Sequence, residues 1–193
     1  RTEQKIPEEA LVIGLVCRFD PMKDHAAFFR AAEAFLKARP DAHFILAGRG
    51  VAQENHLIGK LIPGGPQRGR FHLLGERSDT GRIFASLDIA ASSSAWGEGL
   101  PNAVGEAMAS AVPCVVTDVG DSGILVGDTG IVVPKSDPGA LCAAWQRLAE
   151  AGPDCRKLMG GNARKRIIEH YSLSSMVREY ETLYRSVMTG RGC

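Results

Sequence analysis

The chain has 193 residues, of which 45% are apolar and 23% charged, and its formal net charge is +1. This balance is typical of a globular chain with a proper core, and it excludes a strongly basic protein that binds nucleic acid. No run approaches the roughly 18 apolar residues of a membrane-spanning helix, and we expect no signal peptide.

Six short apolar runs follow one another along the first two thirds of the chain. Each is too uniformly apolar for a half-exposed antiparallel strand, and together they favour a parallel sheet buried on both faces. We predict strands at residues 11–17, 43–47, 71–74, 88–91, 113–117 and 130–133.

Helical patterns separate these runs. Three apolar stripes have helical spacing: Phe28, Ala31, Ala32, Phe35 and Leu36; Ala107, Met108 and Ala111; and Leu141, Trp145 and Leu148. The third follows Asp137, a helix-capping residue, and Pro138 at the first helical turn. The strand–helix alternation predicts an α/β fold, a doubly wound, Rossmann-like parallel sheet of six strands.

The strands stop at Pro153. Residues 156–170 and 172–188 read as two consecutive helices, the second carrying Met176, Tyr180, Leu183, Tyr184 and Val187. Nothing resembles a linker or a repeat. We therefore expect a single domain over residues 1–193 with a helical tail at about 153–188.

Five cysteines are scattered through the chain without the paired spacings of zinc or redox motifs: Cys17, Cys114, Cys142, Cys155 and Cys193. An odd, unpatterned set favours a reducing compartment, so we expect a cytoplasmic protein. No Asp-x-Asp motif or histidine cluster stands out, and we expect no metal site.

In a parallel sheet, ligands bind beyond the carboxyl ends of the strands. The loop after the first predicted strand carries Arg18 and Lys23, two cations that could converge on a diphosphate or could form a solvated basic loop. Later loops carry Gly48, in a glycine-bearing turn, then Glu76 and Arg77. In that third loop Ser78 or Asp79 is expected to cap the following helix, and a later loop holds Gly120 in a tight turn.

The segment SSSAWGEGLPNAVGEAMASAVPCVVTD places two glutamates around a helix start. Pro101 suits the first helical position, with Glu98 just before it and Glu106 about one and a half turns in. A helix start favours an anion, and flanking carboxylates suit hydroxyl groups on either side of a phosphate, as in a nucleotide-sugar. The alternative is structural, because the helix dipole commonly attracts glutamates there.

The Glu98-x7-Glu106 pattern within EGLPNAVGEAMASAVPCVVTDVG, with Arg18 and Lys23 in RFDPMK, resembles the C-terminal, donor-binding domain of family 4 (group 1) glycosyltransferases, which have the GT-B fold. The resemblance implies that Arg18 and Lys23 neutralise the diphosphate and that Glu98 contacts the sugar, these three forming the catalytic set. It also implies substrate contacts from residues elsewhere on the same edge: Glu76, Arg77, Gly99, Leu100 and, on the ribose, Glu106. The turn at Gly48 could let the backbone approach the same substrate.

The implied reaction is a retaining, metal-independent transfer of a hexose from a UDP- or GDP-sugar to a glycan or lipid-linked acceptor, in polysaccharide biosynthesis. No cofactor is expected beyond the nucleotide-sugar itself. The acceptor-binding N-terminal domain is expected to be absent from this chain. Any peripheral membrane association is expected to be mediated by that absent domain. The alternatives are a non-catalytic nucleotide-binding module and a different enzyme on a similar fold, such as a sugar-nucleotide epimerase or a phosphorylase.

The chain departs from the family pattern at four places. Cys17 and Asp24 stand where glycines flank the basic loop, and Ala111 stands where a glycine ends the helix. A left-handed Ala111 would carry strain of about 1 kcal/mol. Asp121-Ser122-Gly123 replaces a Gly-Gly-x-x-Glu motif, which weakens the expectation of sugar contacts from that loop.

Overall fold

The computed structural model describes residues 1–189 and contains one six-stranded sheet in the order β3-β2-β1-β4-β5-β6. Every neighbouring pair of strands is parallel. The strands are β1 (Val12–Val16), β2 (His43–Ala47), β3 (Phe71–Leu73), β4 (Ile89–Ser92), β5 (Cys114–Thr117) and β6 (Ile131–Val133). The predicted doubly wound α/β fold is confirmed, with strand limits within about one residue.

Within residues 1–189, eight α-helices connect and follow the strands. They are α1 (His25–Ala38), α2 (His56–Gly59), α3 (Thr80–Ala85), α4 (Asn102–Ala109), α5 (Ser122–Val126), α6 (Pro138–Glu150), α7 (Gly152–His170) and α8 (Leu173–Met188). Helices α1 and α6 cover one face of the sheet, while α3, α4, α5 and α7 supply apolar side chains to the other. The core is therefore split into two layers by the sheet.

The α1–α6 layer is built on aromatic side chains. Trp145 is fully buried, with its ring centroid 5.2 Å from that of Phe28 and 6.1 Å from that of Phe35. The predicted apolar stripes of these two helices are thus confirmed as core. Helix α6 also begins as predicted, since the Asp137 carboxylate accepts a hydrogen bond from the Ala140 amide at 2.9 Å.

Helix α4 starts one residue later than predicted, and it ends in the left-handed turn considered for Ala111. Its first residue is Asn102, because Pro101 has an extended ψ of 105° and stands at the N-cap position. At the other end Ala111 lies beyond the helix, exposed, in the left-handed conformation with φ of 59°. A Cβ atom on Gly160 of α7 would lie 1.9 Å from the Ala111 carbonyl oxygen, so this turn packs directly against α7.

The two tail helices are present, although α7 starts at Gly152, four residues before the predicted limit, because Pro153 fits its first turn. Helix α7 packs on α4, whereas α8 leaves its apolar residues largely exposed. Within residues 1–189, no helix has the length and apolar character needed to cross a bilayer. Cys193 lies outside the described residues.

Candidate functional site

Two adjoining cavities open at the carboxyl edge of the sheet, of about 330 and 340 Å³. The first lies between the β1 loop and the start of α4, and its lining includes Lys23, Glu98 and Leu100. The second lies beside the β2 and β3 loops, and its lining includes Gly48, Glu76 and Arg77. Both are also lined by Val16, Cys17 and Arg18. Arg18 therefore stands where the two cavities meet.

The β1 loop is shaped by its own short side chains. A 3-10 helix, Pro21–Lys23, is capped by Asp20, whose carboxylate accepts a hydrogen bond from the Met22 amide at 3.0 Å. That bond, followed by the Arg18 guanidinium at 3.2 Å, lowers the pKa of Asp20. Arg18 keeps about half of its side chain exposed and accessible to a ligand.

Lys23 and Glu98 form an ion pair at the back of the first cavity. Their side chains are 15% and 7% exposed, and the Lys23 ammonium donates to Glu98 Oε1. The Ser94 hydroxyl donates to the same oxygen. A carboxylate held this way is ordered before any ligand arrives.

The serines that follow β4 tie this ion pair to the sheet. Ser93 Oγ donates to the Lys23 carbonyl at 2.7 Å, and Thr117 Oγ1 donates to the Ser94 carbonyl at 2.7 Å. The Ala95 amide donates to the Met22 carbonyl at 2.8 Å. These bonds satisfy buried polar groups and fix the loops carrying Lys23 and Glu98 relative to each other.

Two glycines permit close backbone approach at this edge. A Cβ on Gly120, whose φ is +56°, would lie 2.1 Å from the Glu98 carbonyl oxygen. A Cβ on Gly48, whose φ is +145°, would lie 2.0 Å from the Cys17 carbonyl oxygen. Both positions therefore require glycine on two grounds, backbone conformation and space.

The second cavity is more open. Arg77 forms a two-point ion pair with the Asp79 carboxylate, both contacts at 2.7 Å, which lowers the pKa of Asp79. Asp79 stands at the N-cap of α3 as expected but makes no capping hydrogen bond, because Arg77 takes its carboxylate. On the next residue, Thr80 Oγ1 donates to Glu106 Oε2 at 2.9 Å.

The structure thus brings most of the predicted site residues to one edge. Gly99 and Glu106 line neither cavity, although Glu106 is joined to the second through Thr80, which lines it. Sequence reasoning missed Ser94 and Thr80, and also Asn102, which lines the first cavity. The serine run before Glu98 was a signal for the first, whereas nothing in the local pattern marked Thr80.

Cys17 and His25 are held in uncharged forms beneath the β1 loop. Cys17 Sγ lies 3.6 Å from His25 Nε2. Burial raises the pKa of Cys17 to about 12 and lowers the pKa of His25 to about 4. Cys17 is therefore a thiol and no nucleophile at neutral pH. Within residues 1–189, no group of three or more histidine, cysteine, aspartate or glutamate side chains could hold a metal ion.

The family described as "Glycosyl transferases group 1" matches residues 10–151 of this chain. A curated relative, the UDP-Gal:alpha-D-GlcNAc-diphosphoundecaprenol alpha-1,3-galactosyltransferase of Escherichia coli, is 25% identical over 96% of this chain and 48% of its own length. The chain thus spans about half of that relative.

Solved structures share the fold. The Alr3699/HepE protein of Anabaena, crystallised with UDP-glucose, has a TM-score of 0.80 at 21% identity, over 92% of this chain and 49% of that one. The C-terminal domain of the group 1 protein LpcC from Francisella tularensis has a TM-score of 0.74 at 23% identity, over 89% of this chain and 91% of that one. The architecture of the present chain is therefore that of one half of a GT-B glycosyltransferase. The family match shows that the chain belongs to the group 1 glycosyl transferases.

Proposed function

We propose that this chain is the donor-binding half of a glycosyltransferase that takes a hexose from a nucleotide-sugar. The observation that carries this proposal is the pair of cavities that meet at Arg18. Lys23 and Glu98 line the first cavity, Glu76 and Arg77 line the second, and Arg18 lines both. This order of polar groups suits a ligand with a sugar at one end, a diphosphate in the middle and a nucleoside at the other. The crystallisation of the Anabaena protein with UDP-glucose supports the same substrate class.

In this proposal Arg18 and Lys23 neutralise the diphosphate as it leaves the sugar. Two nearby cations stabilise the charge that develops on the leaving group, which is the main requirement of glycosyl transfer. Glu98 Oε1 is already bound by Lys23 and Ser94, which leaves Oε2 to accept hydrogen bonds from sugar hydroxyls. Glu106, which is joined to the second cavity through Thr80, accepts hydrogen bonds from the ribose hydroxyls, and Glu76 and Arg77 lie near the base.

The transfer is proposed to be retaining, metal-independent and without a further cofactor. The two cations provide the charge stabilisation that a metal supplies in other transferases. The acceptor is proposed to be a glycan or a lipid-linked sugar, in line with the diphosphoundecaprenol acceptor in the name of the Escherichia coli relative. With the acceptor half supplied, turnover in excess EDTA and the anomeric configuration of the product test these statements.

The acceptor half is proposed to dock against α8. Helix α8 exposes an apolar face to solvent, formed by Leu173, Met176, Val177, Tyr180, Leu183, Tyr184 and Val187. An exposed apolar surface of this extent is typical of an interaction site. Changing Leu183 and Val187 to serine should lower the activity of the two-domain protein while leaving nucleotide binding by this chain intact.

We also propose that the protein acts in the cytoplasm and that the acceptor half mediates any peripheral association with a membrane.

Calorimetric titration of this chain with UDP, GDP and ADP tests the donor site. We expect one nucleotide to bind, and Arg18→Ala and Lys23→Ala each to weaken it about tenfold, since each removes a charge-assisted contact. Lys37→Ala is the matched control, because Lys37 is exposed near the far end of α1. Unchanged affinity in both site variants would overturn the assignment, and robust sugar transfer by this chain alone would contradict its role as a half.

A further inference from the structure

Each glutamate of the site accepts a hydrogen bond from a hydroxyl group on a different loop. Ser94 Oγ donates to Glu98 Oε1, and Thr80 Oγ1 donates to Glu106 Oε2 at 2.9 Å. We propose that Ser94 and Thr80 are positioning residues. Ser94 orients the Glu98 carboxylate, which binds the sugar hydroxyls, and Thr80 orients the Glu106 carboxylate, which binds the ribose hydroxyls. This inference rests on the proposed function and adds two residues to it.

Ser94 is placed independently of the carboxylate that it holds. Its side chain is buried, and its carbonyl is fixed by Thr117 Oγ1 at 2.7 Å. Its hydroxyl therefore presents a donor at a set position on the wall of the first cavity. The Glu98 carboxylate must turn toward that position, because leaving a buried hydroxyl without a partner is costly.

The choice of oxygen decides what the carboxylate can still bind. Both Ser94 and Lys23 donate to Oε1 of Glu98. Among residues 1–189, no hydrogen bond from a side chain or a backbone amide reaches Oε2. Oε2 is therefore the oxygen available to sugar hydroxyls. Ser94 contributes an uncharged donor, so it orients Glu98 even when a diphosphate draws the Lys23 ammonium toward itself.

Thr80 acts on a more exposed group. It is the first residue of α3 and lines the second cavity, while Glu106 is exposed on α4. Thr80 is the one side-chain partner of the Glu106 carboxylate within the described part of the chain. A free glutamate samples several rotamers, and ordering it on binding costs entropy. Thr80 removes part of that cost by holding the carboxylate toward the second cavity beforehand.

Substitutions at Ser94 and Thr80 should affect the affinities for nucleoside diphosphate and nucleotide-sugar differently. We would titrate UDP and UDP-glucose, GDP and GDP-mannose, and ADP and ADP-glucose into the 193-residue chain, and continue with the pair that binds. Ser94→Ala should weaken the nucleotide-sugar about five- to tenfold and leave the nucleoside diphosphate unchanged within about twofold. Thr80→Ala should weaken both ligands equally, by about two- to fivefold, and Thr80→Ser should restore them.

Matched controls separate positioning from general loss of a hydroxyl. Ser86→Ala removes a hydroxyl that donates to the Ile83 carbonyl at 2.6 Å, and Thr182→Ala removes one that donates to the Arg178 carbonyl at 2.8 Å. Both lie outside the two cavities, and neither should change either affinity. Melting temperatures confirm that each variant is folded.

Double-mutant cycles complete the test. If Ser94 acts through Glu98, Ser94→Ala should have no further effect on nucleotide-sugar affinity in a Glu98→Ala background, and the same holds for Thr80→Ala in Glu106→Ala. Additive losses would overturn the inference, as would unchanged or equally lowered affinities for both ligands in folded Ser94→Ala. Failure of the unaltered chain to bind any of the six ligands would overturn the proposed function and this inference with it.

Discussion

The two glutamates of the site lie in opposite environments. Glu98 is 7% exposed, paired with Lys23, and held between loops that are hydrogen-bonded to one another. Glu106 is exposed on α4 and has one hydroxyl partner among the described residues. On the Glu98 side the residues proposed to bind the ligand also hold the fold together. On the Glu106 side they do not, so substitutions on the two sides should separate affinity from stability.

The largest difference is expected from removing each carboxylate in turn. Glu98→Ala leaves the partly buried Lys23 ammonium unpaired and should lower the free energy of unfolding by about 3 kcal/mol. Glu106→Ala removes an exposed group and should cost less than about 0.5 kcal/mol. Urea unfolding of the two variants measures both values. Equal losses of stability would break the comparison.

Gly120 tests how tightly the Glu98 side is packed. Gly120→Ala would force a Cβ to within 2.1 Å of the Glu98 carbonyl oxygen at a φ of +56°, and should cost about 2 to 3 kcal/mol. Gly99→Ala is the matched control for stability, because a Cβ there has no neighbour within 4 Å in the described structure. Thermal unfolding should show a lower melting temperature for the first variant alone.

Acid should lower the free energy of unfolding through His25, which is buried under the β1 loop. Burial lowers the pKa of His25 to about 4 from an ordinary value of 6.5. As pH falls from 6.5 toward 4, the unfolded chain takes up a proton that the folded chain excludes, so stability falls and then levels off below pH 4. The loss from this group should be about 2 kcal/mol between pH 7 and pH 5.

His25→Gln isolates that contribution. Burial also lowers the pKa values of His43 and His72, so the variant should keep part of the slope of stability against pH. Urea unfolding at both pH values should show a slope smaller by about the His25 contribution. An unchanged slope would mean that His25 protonates in the folded chain as easily as in the unfolded chain.

The smallest expected effect lies at the far end of α4. Ala111→Gly relieves the left-handed strain at φ of 59° but adds freedom to the unfolded chain, so it should stabilise by about 0.5 to 1 kcal/mol. Nucleotide affinity should stay unchanged, because Ala111 lines neither cavity. A change in affinity would show that the end of α4 is coupled to the site at its start.

Some structural features could be predicted from the sequence because they depend on local interactions. The short apolar runs predicted every strand, and the capping Asp137 with Pro138 predicted the start of α6, because these signals depend on neighbouring residues alone. The predicted start of α4 was wrong by one residue, since Pro101 suits either the N-cap or the first turn. Asp24 in place of glycine is explained by its own side chain, which accepts a hydrogen bond from the Ala27 amide while the backbone is left-handed.

The sequence by itself determined the α/β class, the shared edge of the sheet and the charged residues that stand there, because alternation and loop position follow from local pattern. Only the tertiary structure decided that Lys23 pairs with Glu98, that Arg18 stands between two cavities, and that Ser94 and Thr80 hold the carboxylates. Lys23 and Glu98 are 75 residues apart in the chain. Such contacts depend on which strands become neighbours, and no local pattern records that.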